Sequence, residues 1–171
     1  NLLFSTYQLL EGGTVIYNGD LLIVDTDIEK IKRLSNYGSD FYVSPDGKFI
    51  AIDAIGRIDV VDIDGNVVHN NLLTYTPSDP VFLPPGVFWM SDSTGLIFLL
   101  PIPTSYESNY PPDYTVWRYM LDSSRGVQVS FDPLPMEAYM AEVSPDGNWI
   151  IYNREDQYAF FLGDIRTGHA K

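Results

Sequence analysis

The sequence contains no cysteine, which excludes disulfides, thiolate metal sites and cysteine nucleophiles and leaves the redox compartment open. Histidine is almost as scarce. His69 and His169 are the only two, and there is no Gly-x-Ser-x-Gly segment, so a Ser-His-Asp triad has few ways to form. Basic residues are few: ten Lys and Arg stand against 23 Asp and Glu, a net charge of −13 that repels phosphate backbones. Nucleic acid and anionic membrane surfaces are therefore poor partners, and the excess negative charge serves solubility. Long apolar runs are missing too. The strongest, Leu96 to Leu100, is closed by Pro101 and falls far short of the ~20 residues of a membrane helix, so no membrane insertion is expected. No basic, signal-like segment precedes Asn1, so the chain is expected to be a matured product or an excised fragment.

What remains is rich in packing material. Apolar residues make up 45% of the chain, aromatics 14% and charges only 19%, a composition that folds around a core. A length of 171 residues suits one domain. The five letters Val-Ser-Pro-Asp-Gly occur twice, at Val43–Gly47 and Val143–Gly147, each running into an apolar stretch. Pro sets φ, Asp bonds back to the backbone and Gly takes φ > 0, so each copy is a tight turn. After the first copy come a run of β-formers (Phe49, Ile50, Ile52), a break at Gly56, a strand from Ile58 to Val61, a turn at Asp62-Ile63-Asp64-Gly65 and a last strand from Val67.

The same meander recurs with changed letters. Gly13 precedes Thr14 to Tyr17, and Leu21 to Val24 then ends on Asp25. Ser91 and Gly95 precede the third apolar run, and Val116 to Leu121 leads to Asp122. Asp164 closes the fourth copy, so Asp25, Asp62, Asp122 and Asp164 mark equivalent places. Ile28, Ile31 and Leu34 could stripe a short helix, but the repeat calls for a strand there. Four strands per unit at about 40–50 residues is the period of a propeller blade. The second strand of each unit is almost wholly apolar, as packing on both faces requires. The twelve prolines all lie in or beside turns and loops, which keeps the inner strands free to pair.

On these residues the unit resembles the TolB-like, WD40-like β-propeller repeat, marked by a Ser-Pro-Asp-Gly turn, an apolar strand and a later strand ending on Asp before a Gly turn. Residues 42–70 and 142–168 match well; 9–35 and 89–131 match loosely, without the Pro-Asp step. The expected fold is all-β, a propeller of four-stranded antiparallel blades at about 1–38, 39–76, 77–131 and 132–171, the last incomplete. The shared letters build turns and say little of function. An open end would leave unpaired strand edges and a bare blade face. Residues 1–10 could supply blade four's outer strand, two chains could associate through the open edge, or the blades could belong to a larger propeller, which is the preferred arrangement.

Four groups are candidates for chemistry. His69 and His169 sit at strand ends or turns, where a solvated histidine is ordinary. Asp59, Asp62, Asp64 and Asn66 have a passing likeness to part of a calcium loop, but the bidentate distal acid is absent and the repeat assigns Asp62 to its turn, so no metal or cofactor is expected. Asn153 to Asp156, and Asp53, offer carboxylates whose separation decides any glycoside chemistry; solvated loop acids are the ordinary case. Tyr106, Tyr110 and Tyr114 recur every four residues with Trp117 just after, within a region, Pro77–Pro112, that holds eight of the twelve prolines. A Pro-stiffened, Tyr-studded insertion suits recognition of a protein, peptide or glycan. The favoured alternative is that these rings cover the apolar edge of the third blade.

The function expected is a non-catalytic binding or scaffold module, taking its ligand on one end face or at the Tyr-rich insertion. The resemblance implies protein–protein contacts and a place outside the cytoplasm, periplasmic or secreted, in a bacterial-type cell. The alternative is an accessory propeller of a larger hydrolase, either a prolyl oligopeptidase-like peptidase or a glycan-active enzyme.

Overall fold

The structure is a computed structural model that describes residues 2–5, 8–9, 15–16, 19–36, 40–54, 56–76, 85–101, 114–123, 125–129, 141–154 and 159–170. All regular structure among them is strand. The chain divides into two compact units, Asn1–Thr76 and Pro77–Lys171.

The first unit holds β1 (Leu2–Ser5), β2 (Gln8–Leu9), β3 (Val15–Ile16), β4 (Leu21–Asp25) and β5 (Lys30–Ser35), then β6 (Asp40–Val43), β7 (Phe49–Asp53), β8 (Arg57–Asp62) and β9 (Val67–Thr74). β6 to β9 form an antiparallel sheet in chain order, the expected meander. The first blade is different. β1 pairs with β4, which pairs with β5, while β2 and β3 make a separate hairpin. The strand expected over Thr14–Tyr17 is thus confined to Val15–Ile16, and the place beside β4 goes to Leu2–Ser5. Those four residues belong to blade one and do not supply an outer strand to blade four. Leu3, opposite Ile23, packs on the core there, which favours the pairing.

The helix-like stripe resolves as a strand. Of its three members only Leu34 is buried; Ile28 and Ile31 are 67% and 62% exposed, so a helix would have no face to bury. Leu21, Ile23 and Leu34 of the first sheet meet Ile50, Ile52 and Val61 of the second, forming the core of this unit. Period-two alternation turns Ala51, Asp53, Ile58 and Val60 to the other face, and these four are also fully buried.

The second unit holds β10 (Gly86–Trp89), β11 (Gly95–Pro101), β12 (Tyr114–Met120) and β13 (Arg125–Val129), followed by β14 (Ala141–Val143), β15 (Trp149–Arg154), β16 (Ala159–Asp164) and β17 (His169–Ala170). Each set of four is an antiparallel sheet in chain order. An outer strand absent from the sequence-based reading of blade four is therefore present, though only two residues long. Ile97, Leu99 and Val116 of blade three pack against Ile150, Tyr152 and Ile165 of blade four, with the Tyr152 and Phe161 rings stacked 5.6 Å apart.

The repeated turn is built alike in both full copies. Ser44 N–H donates to Phe49 O and Gly47 N–H to Ser44 O; Ser144 and Gly147 do the same with Trp149 and Ser144. The serine hydroxyl accepts from the backbone N–H of Phe49 or Trp149 at 2.9 Å and donates to Asp46 or Asp146. Gly47 and Gly147 have φ of 71° and 68°, where a Cβ is disfavoured.

Blade three departs from the expected corners. Met90, not Ser91, makes the paired contacts of Ser44, exchanging with Gly95 O and Ser93 N–H. Likewise Met120, opposite Gly95, takes the place of Asp62 opposite Phe49 and Asp164 opposite Trp149. Asp122 stands two residues further on and is exposed. Sulfur replaces the polar corner: a Cβ on Gly95 would lie 3.1 Å from Met90 Sδ and 3.2 Å from Met120 Sδ, so the missing side chain makes room for both thioethers.

Candidate functional site

The corner aspartates serve the backbone. Asp62 Oδ1 accepts from the N–H of Asp64 and Asn66 at 2.9 and 2.8 Å, and Oδ2 from the Asn66 amide at 2.7 Å. Asp25 accepts from Asp27 and Ile28 N–H, and Asp164 from Arg166 N–H. Asp59 is occupied elsewhere: only 1% exposed, it accepts from Arg57 Nε at 3.0 Å and from Asn71 N–H at 2.7 Å. Asn71 has φ 54° beside an irregular stretch of the β8–β9 ladder, so Asp59 stitches a bulge. No group of three or more His, Asp or Glu that could hold a metal occurs among the described residues.

Of the Tyr-rich insertion, Tyr106 and Tyr110 lie outside the described residues. Tyr114 and Trp117 stand on β12 an odd number of residues apart, and so project to opposite faces of the sheet. Tyr114 packs against the blade three–four core, and burial raises the pKa of its phenol. Trp117 is half-buried beside Tyr119, ring centroids 6.4 Å apart, and its Nε1 donates to Thr115 Oγ1 at 3.1 Å. The described pair thus presents no single surface. His69 lies within β9 opposite Val60, and His169 is exposed on β17. Glu155 and Asp156 lie outside the described residues.

Asp53 behaves unlike a loop acid. It ends β7 and is fully buried, and its Oδ1 accepts a hydrogen bond from Tyr75 Oη at 2.7 Å. Three strand ends hold it there. Ala54 N–H donates to Arg57 O, tying β7 to β8, and Tyr75 N–H donates to Gly56 O, which fixes the phenol as the chain leaves β9. Asp40 is directly opposite Asp53 across β6–β7, and Tyr42, opposite Ala51, projects to the same face. Burial, with the charges of Asp40 and Asp53 behind it, pushes the Tyr42 phenol up to about 12. Burial chiefly raises Tyr75 as well, reinforced by Asp53.

The equivalent residue in blade three is Leu99, which belongs to the core and is 5% exposed. The repeat thus accepts an apolar side chain here, and a carboxylate in its place costs several kcal/mol unless hydrogen-bonded. Sequence reasoning weighed Asp53 as a solvated acid and missed Asp40, Tyr42 and Tyr75. The signal lay in the alignment: Phe49-Ile50-Ala51-Ile52-Asp53 against Gly95 to Leu99, where polar meets apolar at one strand end. Chemically the group offers two carboxylates and two protonated phenols at the end of blade two away from its Ser-Pro-Asp-Gly corner. That arrangement can receive hydrogen-bond donors or a cation; it contains no activated nucleophile.

No family model matches the chain. No curated protein matches it either. Among solved structures it is similar to the acylaminoacyl peptidase of Pyrococcus horikoshii, with a TM-score of 0.64 and 15% identity over 99% of this chain and 29% of that one. It is similar to Porphyromonas gingivalis dipeptidyl peptidase 4, with a TM-score of 0.63 and 14% identity over 96% of this chain and 29% of that one. It is similar to TolB from Acinetobacter baumannii, with a TM-score of 0.52 and 15% identity over 99% of this chain and 40% of that one. The chain spans well under half the length of each. Likeness at such identities shows the fold, and the antiparallel four-stranded sheets agree with it: the chain is a β-propeller, all-β and built of blades.

Proposed function

We propose that the chain is a binding or scaffold module of a TolB-like propeller, without catalysis of its own, that contacts a positively charged segment of a protein partner. The observation that carries this is Asp53, a carboxylate buried under the Tyr75 hydroxyl where blade three has a core leucine. A stability-neutral blade would keep the leucine. With exposed Asp40 alongside and a net charge of −13, the local and the overall field both attract cations. The likeness to TolB supports a place outside the cytoplasm. The test is calorimetric titration with a Lys-rich peptide, a Glu-rich peptide and a neutral oligosaccharide. Only the Lys-rich peptide is expected to bind, touching exposed Asp40, and Asp53→Asn to weaken it by about tenfold through loss of the buried negative charge behind Asp40. Binding of the oligosaccharide alone, or indifference to Asp53→Asn, would overturn the reading.

The likeness to two peptidases supports a second reading, an accessory propeller in a longer hydrolase. The complete coding sequence decides it, because a Gly-x-Ser-x-Gly strand–turn–helix segment on another domain would supply the nucleophile.

A further inference from the structure

Blade four uses its two faces unequally. Ile150 and Tyr152 are buried against Ile97, Leu99 and Val116 of blade three. On the opposite face Ile151 is 46% exposed, Leu162 42% and Phe160 63%. These three form one patch: Ile151 and Leu162 are directly opposed across β15–β16, and Phe160 is two residues along from Leu162 on the same side. The corresponding positions of blade two, by register on either side of the Ser-Pro-Asp-Gly turn, are Ala51, Val60 and Ile58, each 0% exposed. In blade three the corresponding face carries Ile97 and Leu99, and blade four covers it. One face of one repeat is therefore sealed in two blades and bare in the third. Apolar side chains of this size, adjacent and bare, mark an interface.

We infer that the Ile151–Phe160–Leu162 face is an inter-blade face, and that its occupant is a further four-stranded blade of the same polypeptide. Continuity with the established interface identifies the occupant's chemistry. What covers Ile97 and Leu99 is a second strand with apolar residues at alternate positions, so the same kind of strand is required here. The matched structures, of which this chain spans 29 to 40%, have the length to hold such blades. A second copy of the chain is the competing occupant, and the two make different predictions.

The absence of cysteine allows a direct test. Single cysteines are placed by Ile151→Cys, by Phe160→Cys and, as an exposed reference in the blade-three turn, by Ser91→Cys, and maleimide labelling is followed. Thiol labelling tracks accessibility. In protein expressed from the complete gene, the thiols introduced at Ile151 and Phe160 should therefore react about tenfold or more slowly than the one introduced at Ser91. In the 171-residue chain all three should react at similar rates. Two reporter positions guard against one variant failing to fold, and circular dichroism checks each. Fast labelling in the complete-gene protein, or a gene encoding no further blade, overturns the inference. Protection that appears in the 171-residue chain and grows with concentration assigns the face to a second copy and overturns it as well.

Discussion

Ser44 shows how much a single turn residue holds. It is buried, and its hydroxyl accepts from Phe49 N–H while donating to Asp46. Ser44→Ala removes both bonds and is expected to lower the free energy of unfolding by about 1–3 kcal/mol, read from urea denaturation at neutral pH. The carboxylates that these turns engage also set the acid limit. Hydrogen bonds from Ser44 and Ser144 hold Asp46 and Asp146 down to about 2, and the Arg166 side chain holds Asp164 to about 2. An aspartate in the unfolded chain titrates near ~3.9, so below that pH the unfolded state takes up protons that the folded state refuses. The stabilisation is complete above pH ~4 and is lost as the pH falls towards 2. The urea midpoint should decline across that window, and Asp146→Asn should flatten the decline while leaving the Asp46 and Asp164 contributions. At the proposed site the order of variants is diagnostic. Tyr75→Phe strips a hydroxyl from a buried carboxylate and should destabilise by about 1–3 kcal/mol. Asp53→Leu, made together with Tyr75→Phe so that no hydroxyl is left without its acceptor, installs the residue type of blade three and should cost less than Tyr75→Phe alone, while abolishing any binding of the Lys-rich peptide. If the double variant unfolds the protein instead, the carboxylate serves structure and the site loses its argument.

At the scale of strands and turns, sequence pattern and structure agree where one short-range cause sets the outcome. Ser-Pro-Asp-Gly specifies its turn by φ, Asx bonding and a left-handed glycine, and both copies form it with the same bonds. In blade three the corners expected from the sequence fall one residue past Met90 and two past Met120, because Ser91 and Asp122 look like the repeat's punctuation while the two methionines hold its positions. Met90 and Met120 leave no polar letter at their own places, while Asp92 keeps the part of Asp46 by accepting from Thr94 N–H at 3.0 Å. Blade one departs from the expected meander for another reason: the pairing of Leu2–Ser5 with β4 is non-local, and no local letter announces a partner strand so far back in the chain. The Asp53 site was hidden similarly, since burial comes from neighbouring strands and Tyr75 reaches back across the sheet. Gly95 tests the sulfur corner. A Cβ there would collide with Tyr119 O, a backbone atom that cannot swing aside. Gly95→Ala should therefore cost about 1–3 kcal/mol or more through overpacking. Gly126→Ala, which meets the ring of Tyr119, can be relieved by a rotamer change and should cost less. Equal losses would show that β11 and β12 separate readily and that the close approach is not specified.

For the molecule as a whole, the charge and the bare face pull in different directions. A surplus of thirteen negative charges opposes compaction by self-repulsion and keeps chains apart. Salt at 0.5 M shortens the screening length to about 4 Å, so it should raise the thermal midpoint and slow association with a Lys-rich peptide. An apolar face of Ile151, Phe160 and Leu162 instead favours burial and carries no charge for salt to screen. The two contributions separate in one comparison. In the 171-residue chain Phe160 is already 63% exposed, so Phe160→Ser removes little buried area and should change stability by less than about 0.5 kcal/mol. In protein from the complete gene the same ring would be sandwiched between blades, and its loss should cost about 3–5 kcal/mol, the range for truncating a buried aromatic. The experiment is a pair of urea curves for each length, wild type and variant, in 0.5 M salt to mute the charge effect. A large cost only in the longer protein locates Phe160 inside a propeller interface. Equal small costs in both leave the ring in water and remove the physical reason for a covering blade.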